Sequence, residues 1–130
     1  MQLSAKTYYG LKALADIAAH DKPRSARHIA EAEDIPLEFL EKILQSLRKS
    51  GIIRSVRGKS GGYALTHTSR DITLADIFAE LEGPLFDIPC LGGSCSKSPT
   101  CRTRDVWHQV NSTIDETLSE ITLEDIIRKQ

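Results

Sequence analysis

The chain has 130 residues, 40% hydrophobic and 27% charged, with a net charge of −1, the profile of one soluble globular domain that needs no disulfide or zinc merely to fold. No apolar run approaches the ~20 residues of a membrane span, and the start, MQLSAKTYYGLKALADIAAH, lacks a signal peptide's apolar block. The chain therefore reads as cytoplasmic and not membrane-bound, a setting in which clustered thiols lean toward metal or redox chemistry rather than structural disulfides.

The small net charge conceals an asymmetry. Residues 1–70 carry 12 Lys+Arg and 7 Asp+Glu, or +5, and residues 71–130 carry 5 and 11, or −6. From Lys42 to Arg70 there are seven basic residues and no acid. A one-signed segment on a nearly neutral protein suggests a polyanion-binding face.

In chain order, Tyr8, Leu11, Leu14, Ala15, Ile17 and Ala18 recur at helical spacing along one face of residues 8–20, and Asp21–Pro23 ends that helix. Ser25 is placed to cap a second helix, Ala26 to about Glu33. Pro36 suits the first turn of a third. There Leu40, Ile43, Leu44 and Leu47 follow the i, i+3, i+4, i+7 pattern of a core-facing stripe, and Gly51 stands where a C-terminal cap is expected. Two short helices joined by a tight turn read as helix-turn-helix, with Ala30 at the close approach. Asp34 takes the turn position often held by Gly, which Asp tolerates better than most residues.

Ile52–Val56 and Tyr63–Thr66 then read as strands around the Gly-rich turn RGKSGG. A hairpin directly after the third helix is the wing of a winged helix. Its tip carries Arg57 and Lys59, and Arg is drawn to the strong negative potential of a narrow minor groove. RGKSGG lacks the spacing and following helix of a phosphate-cradling loop. Thr73 caps a further helix over 73–82, ended by Gly83-Pro84. From about Thr103, Trp107, Val110, Ile114, Leu118 and Ile121 form a narrow stripe along a helix of about 18 residues, suited to packing against another helix: a two-fold mate or the chain's own winged helix. A short helix from Leu123 to about Lys129 finishes the chain.

All three cysteines lie in CLGGSCSKSPTC, spaced C-x4-C-x5-C. Paired CxxC zinc spacing is absent and the ferredoxin spacings do not match. Gly92, Gly93 and Ser94 would let a chain wrap tightly around an iron–sulfur cluster and bring backbone N–H groups to its sulfides. On spacing alone, a metal or cluster site, a thiol redox switch and inert thiols all stay open. No nucleophile–base pair, paired acids or nucleotide loop points to an enzyme.

The stretches MQLSAKTYYGLKAL, IPLEFLEKILQSLRKSGII, SVRGKSGGYAL, TLADIFAELEG, the three-cysteine loop and ITLEDII together resemble the IscR/NsrR-type family of winged-helix repressors across essentially the whole chain. The resemblance implies a mostly α fold: a winged helix-turn-helix with a small β-hairpin wing and a long C-terminal dimerisation helix. The DNA-binding region would span 1–83 (helix-turn-helix about 26–49, wing about 52–66). The cluster-binding loop would be 84–102, and 103–130 the dimerisation and terminal helices. It further implies a homodimer on palindromic double-stranded DNA, acting as a repressor that senses iron–sulfur status, redox state or nitric oxide.

By the same resemblance, Cys90, Cys95 and Cys101 would bind the cluster, [2Fe–2S] rather than [4Fe–4S] by analogy with IscR. Glu41 would help set base specificity, since a carboxylate there can accept from cytosine N4. Arg57 would enter the minor groove with Lys59 beside it. Glu38 and Lys42 would lie at or near the reading face, and Lys6 and Lys49 would meet phosphates. The chain departs from the family at the fourth ligand. IscR uses a His three residues after the last cysteine, where this chain has Arg104. Some NsrR-type members use an Asp from the partner's first helix, and Tyr8 stands there. Asp105, His108, a partner residue, hydroxide or a small thiol remain candidates. A zinc- or thiol-based regulator on the same fold is the alternative.

Overall fold

The computed structural model describes residues 2–86, 88–92, 96 and 98–128. The first helix, α1 (Ala5–Ala18), begins three residues before the predicted apolar repeat because Ser4 caps it, its hydroxyl accepting from the Thr7 N–H. Local capping thus extends a helix that the hydrophobic pattern alone starts at Tyr8. The helix buries Ala13, Leu14 and Ile17 and packs against four other helices and the second strand of the wing.

The next two helices form the predicted helix-turn-helix. Ser25 caps α2 (Ala26–Glu33) by accepting from the His28 N–H at 3.1 Å. Asp34 turns the chain with φ 55 and ψ 53, the left-handed conformation expected of it. The Lys12 ammonium donates to the Glu33 carbonyl at 2.8 Å, placing a cation at the negative end of the α2 dipole. Pro36 stands one position outside α3 (Leu37–Ser50), at its cap rather than in its first turn. Leu40, Ile43, Leu44 and Leu47 are all buried, each contributing about 1.5–3 kcal/mol by leaving water. This stripe fixes which face of α3 turns outward.

The wing is an antiparallel pair, β1 (Ile53–Val56) and β2 (Gly62–Leu65), in register from Ile53↔Leu65 to Val56↔Gly62. A third backbone segment joins it. Arg24, between α1 and α2, pairs with Tyr63 through two backbone hydrogen bonds of 2.9 and 2.7 Å. Gly62 makes this approach possible. A Cβ on it would lie 2.3 Å from the Arg24 carbonyl oxygen, and its φ is 148°. Gly62→Ala is therefore expected to destabilise the fold by about 3 kcal/mol, strain and backbone overlap together. Gly58, also at positive φ, has open space around its missing Cβ, so Gly58→Ala should cost only about 1 kcal/mol of strain. Equal urea midpoints for the two variants would contradict this reading.

Helix α4 (Leu74–Leu81) starts in a capping box between Thr73 and Asp76 and buries Ile77 and Leu81. Helix α5 (Arg104–Glu120) contacts α4 but has no buried residue of its own. Helix α6 (Leu123–Arg128) returns to the core. The Leu74 N–H donates to Ile121, the Leu123 N–H donates to Ile72, and the Leu123 side chain is fully buried. The Glu82 carboxylate, just past α4, accepts from the Ser4 amide, the Ser4 hydroxyl and the buried Thr7 hydroxyl. The two hydroxyls hold its pKa below the usual carboxylate value. That tie therefore contributes fully above the ordinary carboxylate pKa and is lost as pH falls through the depressed one.

Candidate nucleic-acid interface and cysteine loop

Burying the α3 stripe leaves Glu38, Glu41, Lys42, Gln45, Arg48 and Lys49 exposed on the opposite side. Helical periodicity also placed Gln45 one turn beyond Glu41, yet sequence reasoning passed over it because it carries no charge. Glu38 lies in the first turn and Arg48 and Lys49 in the last, the arrangement the helix dipole favours. Arg57 and Lys59 stand exposed at the wing tip, where the Gly61 N–H closes a turn onto the Gly58 carbonyl at 3.0 Å. Among the described residues, Arg48, Lys49, Arg54, Arg57 and Lys59 take part in no ion pair. Lys6 is half-buried near the start of α1. This cationic surface can meet phosphate oxygens, and the Glu38–Glu41–Gln45 side can address base edges.

The cysteine loop leaves α4 at Gly83-Pro84. Its first part lines a cavity of about 480 Å³ with Leu85, Phe86, Ile88 and Leu91, facing Phe78 of α4 and Asn111, Asp115 and Leu118 of α5. Cys90 is half-buried, in a turn where the Leu91 N–H donates to the Ile88 carbonyl at 3.0 Å. Cys101 is exposed, between a short 3-10 turn (Ser98–Thr100) and α5. Its sulfur lies 3.3 Å from the Thr103 hydroxyl. That hydroxyl, then the Thr103 and Arg104 backbone N–H groups, lowers the thiol pKa against the opposing effect of burial. Thr103 was not singled out in the sequence, since a Thr two residues past a Cys is no motif.

Cys95 lies outside the described residues. Among the described ones, no three His, Cys, Asp or Glu side chains are grouped to hold a metal. Asp105 is exposed with its carboxylate 3.8 Å from the Arg104 guanidinium, and His108 is exposed on α5. The described donors suit a thiolate-bound group by their chemistry: two free thiols, of which Cys101 has its pKa lowered, and metals bind the thiolate.

The apolar stripe of α5 divides. Leu118 and Ile121 are half-buried beside α4, while Trp107 and Val110 are 38% and 36% exposed, with Val106 beside them at 55%. Among the described residues the stripe is thus half-buried at its C-terminal end and exposed at its N-terminal end.

The family model of Rrf2, described as an iron-dependent transcriptional regulator, matches residues 3–129. The chain belongs to the Rrf2 family. Among relatives, the transcriptional regulator IscR of Photobacterium profundum is 34% identical, the match covering 98% of this chain and 76% of that protein. The solved structure of T. potens IscR superposes with a TM-score of 0.81 at 37% identity, covering 99% of this chain and 88% of that one. CymR of B. subtilis, described as the global cysteine regulator, superposes with a TM-score of 0.84 at 30% identity, covering 100% and 98%. The Rrf2 family is one of transcriptional regulators rather than enzymes, and this member has the winged-helix fold of its IscR and CymR neighbours. Among its described residues, no helix is long and apolar enough to cross a membrane.

Proposed function

We propose that this Rrf2-family regulator acts as a homodimeric repressor on palindromic DNA, its affinity set by an iron–sulfur cluster held by Cys90, Cys95 and Cys101. The observation that carries the reading is the place of the thiols. They fall between α4, part of the winged-helix body, and α5, which exposes Val106, Trp107 and Val110. A group bound there touches both the reading half and the pairing half. The similarity to IscR proteins and the iron-dependent description of the family support it.

In this reading α5 pairs with its two-fold mate. Trp107 and Val110, with Val106 beside them, are exposed on α5, so a two-fold mate would meet this patch with its own copy of it. The paired α3 helices enter successive major grooves, Glu41 selects bases and Arg57 enters the minor groove, with Lys59 beside it. Glu38 and Lys42 lie at or near the reading face, and Lys6 and Lys49 supply salt-dependent phosphate contacts. When bound, the cluster supplies a centre labile to oxidants and nitric oxide. [2Fe–2S] is preferred by analogy with IscR, with Asp105 or His108 as the fourth ligand from this chain. Leu85, Phe86, Ile88 and Leu91 carry the order of the loop onto α4 and α5. This needs only a differential free energy of ~1–3 kcal/mol between DNA-competent and incompetent states.

A second reading, a thiol-based regulator without a cluster, is favoured by the exposed Cys101, whose thiol pKa the Thr103 hydroxyl lowers, and by the similarity to CymR. Anaerobic purification with iron and sulfide analysis and a visible spectrum separates the two. Brown, iron- and sulfide-bearing protein supports the cluster; colourless, iron-free protein supports the thiol reading. Glu41→Ala is expected to relax base preference at one operator position by ~1–3 kcal/mol. A selection from random duplexes that returns the wild-type motif would refute that role.

A further inference from the structure

The two strands of the wing are four residues each, and a lone two-stranded ribbon is marginal in water. Beside the packing of Ile53 and Leu65 on the core, Arg24 ties this one to the body. Its backbone adds a third segment to the wing by pairing with Tyr63, and Gly62 lies directly on it. Its side chain turns the other way. The Arg24 Nε donates to Asp16 Oδ1 at 2.8 Å and Nη2 donates to Oδ2 at 3.3 Å. Asp16 sits on α1 and is only 7% exposed, so its carboxylate depends on this guanidinium. A buried carboxylate stripped of its partner is costly. His20, whose ring is 3.8 Å from the same carboxylate, is largely exposed and cannot replace a two-pronged contact. The next residue, Ser25, caps α2. One residue therefore joins the wing, the first helix of the helix-turn-helix and the central helix of the body.

We propose that the Asp16–Arg24 pair positions the wing for DNA reading: it sets the angle at which Arg57 approaches the minor groove relative to α3. Arg24 need not touch DNA; it acts through Arg57. The inference rests on the reading of Arg57 as a groove contact, and the test separates the two.

The experiment is a double-mutant cycle on a duplex that the full-length wild-type protein selects from a random library, with thermal melts to verify folding. Arg57→Ala alone is expected to weaken binding about tenfold, within the range for one groove Arg. Arg24→Met and Asp16→Asn should each cost a comparable factor in the otherwise wild-type chain. In the Arg57→Ala background they should cost almost nothing further, because the contact they position is already gone. Arg24→Lys should recover part of the loss. The effect of Glu41→Ala should stay additive with Arg24→Met, since α3 is set by its own buried stripe. If Arg24→Met does not fold, Asp16→Asn carries the cycle. Losses that add fully to that of Arg57→Ala, or no loss in folded Arg24 and Asp16 variants, would overturn the positioning role and leave the wing reading intact. An Arg57→Ala protein with wild-type affinity would overturn the wing reading and, with it, the inference.

Discussion

Val110→Asp is expected to yield a monomer and to weaken operator binding by about a hundredfold or more. Val110 is exposed in the single chain, so the carboxylate costs the isolated fold little. In the proposed pairing it would instead be pressed against the same patch of a second copy, an unpaired charge in an apolar seam. Losing the pair converts two linked half-site contacts into one. The second contact is otherwise intramolecular, and linkage of that kind is worth a factor of ~10²–10⁴ in apparent affinity. Sedimentation and DNA titration at matched salt measure both effects. A dimeric variant with wild-type affinity would place the pairing surface elsewhere and leave the Val106–Trp107–Val110 patch without its assigned partner.

Cys101→Ser is expected to bind iron more than about a hundredfold more weakly than the wild type. Loss of an outer-shell partner already costs ~10–100-fold at metal sites, and this substitution removes a ligand itself. Because Cys101 is exposed, the melting temperature of the apo protein should scarcely move, so lost iron cannot be blamed on a lost fold. Iron and sulfide counts after anaerobic preparation give the answer. A variant that keeps its full iron content would remove Cys101 from the ligand set. If instead the wild type is iron-free and only its response to oxidants disappears in Cys101→Ser, the thiol reading holds.

The parts of the fold legible in the sequence are those governed by short-range rules. Leu40, Ile43, Leu44 and Leu47 repeat at helical spacing, and all are buried. Ser25 and Thr73 were recognisable caps and make the hydrogen bonds expected of caps. Asp34 adopts the left-handed turn. Where two local rules compete, the boundary moved: Ser4 extends α1 ahead of its apolar repeat, and Pro36 stays just outside α3. What could not be read were contacts between residues far apart in the chain. The Glu82 carboxylate meets Ser4 and Thr7 across more than seventy residues. The Arg24 backbone reaches Tyr63 while its side chain finds Asp16. The outward face of α3 was legible because helix period dictates it. The influence of Thr103 on Cys101 was not, because it depends on how the start of α5 meets the loop.

The way α5 is mounted has a mechanical consequence. Its far end is joined to the body beside α4 and through the Ile121 and Leu123 backbone bonds, while its near end carries exposed Val106 and Trp107 and follows directly on Cys101. It is a cantilever clamped at one end. From Leu118 to Arg104 it rises ~21 Å at 1.5 Å per residue, so a ~5° rotation at the clamp displaces the near end by ~1.8 Å. Leverage works in both directions. In the proposed reading, a modest tightening among the cysteine ligands would return to α4 as a torque on the body that carries α3.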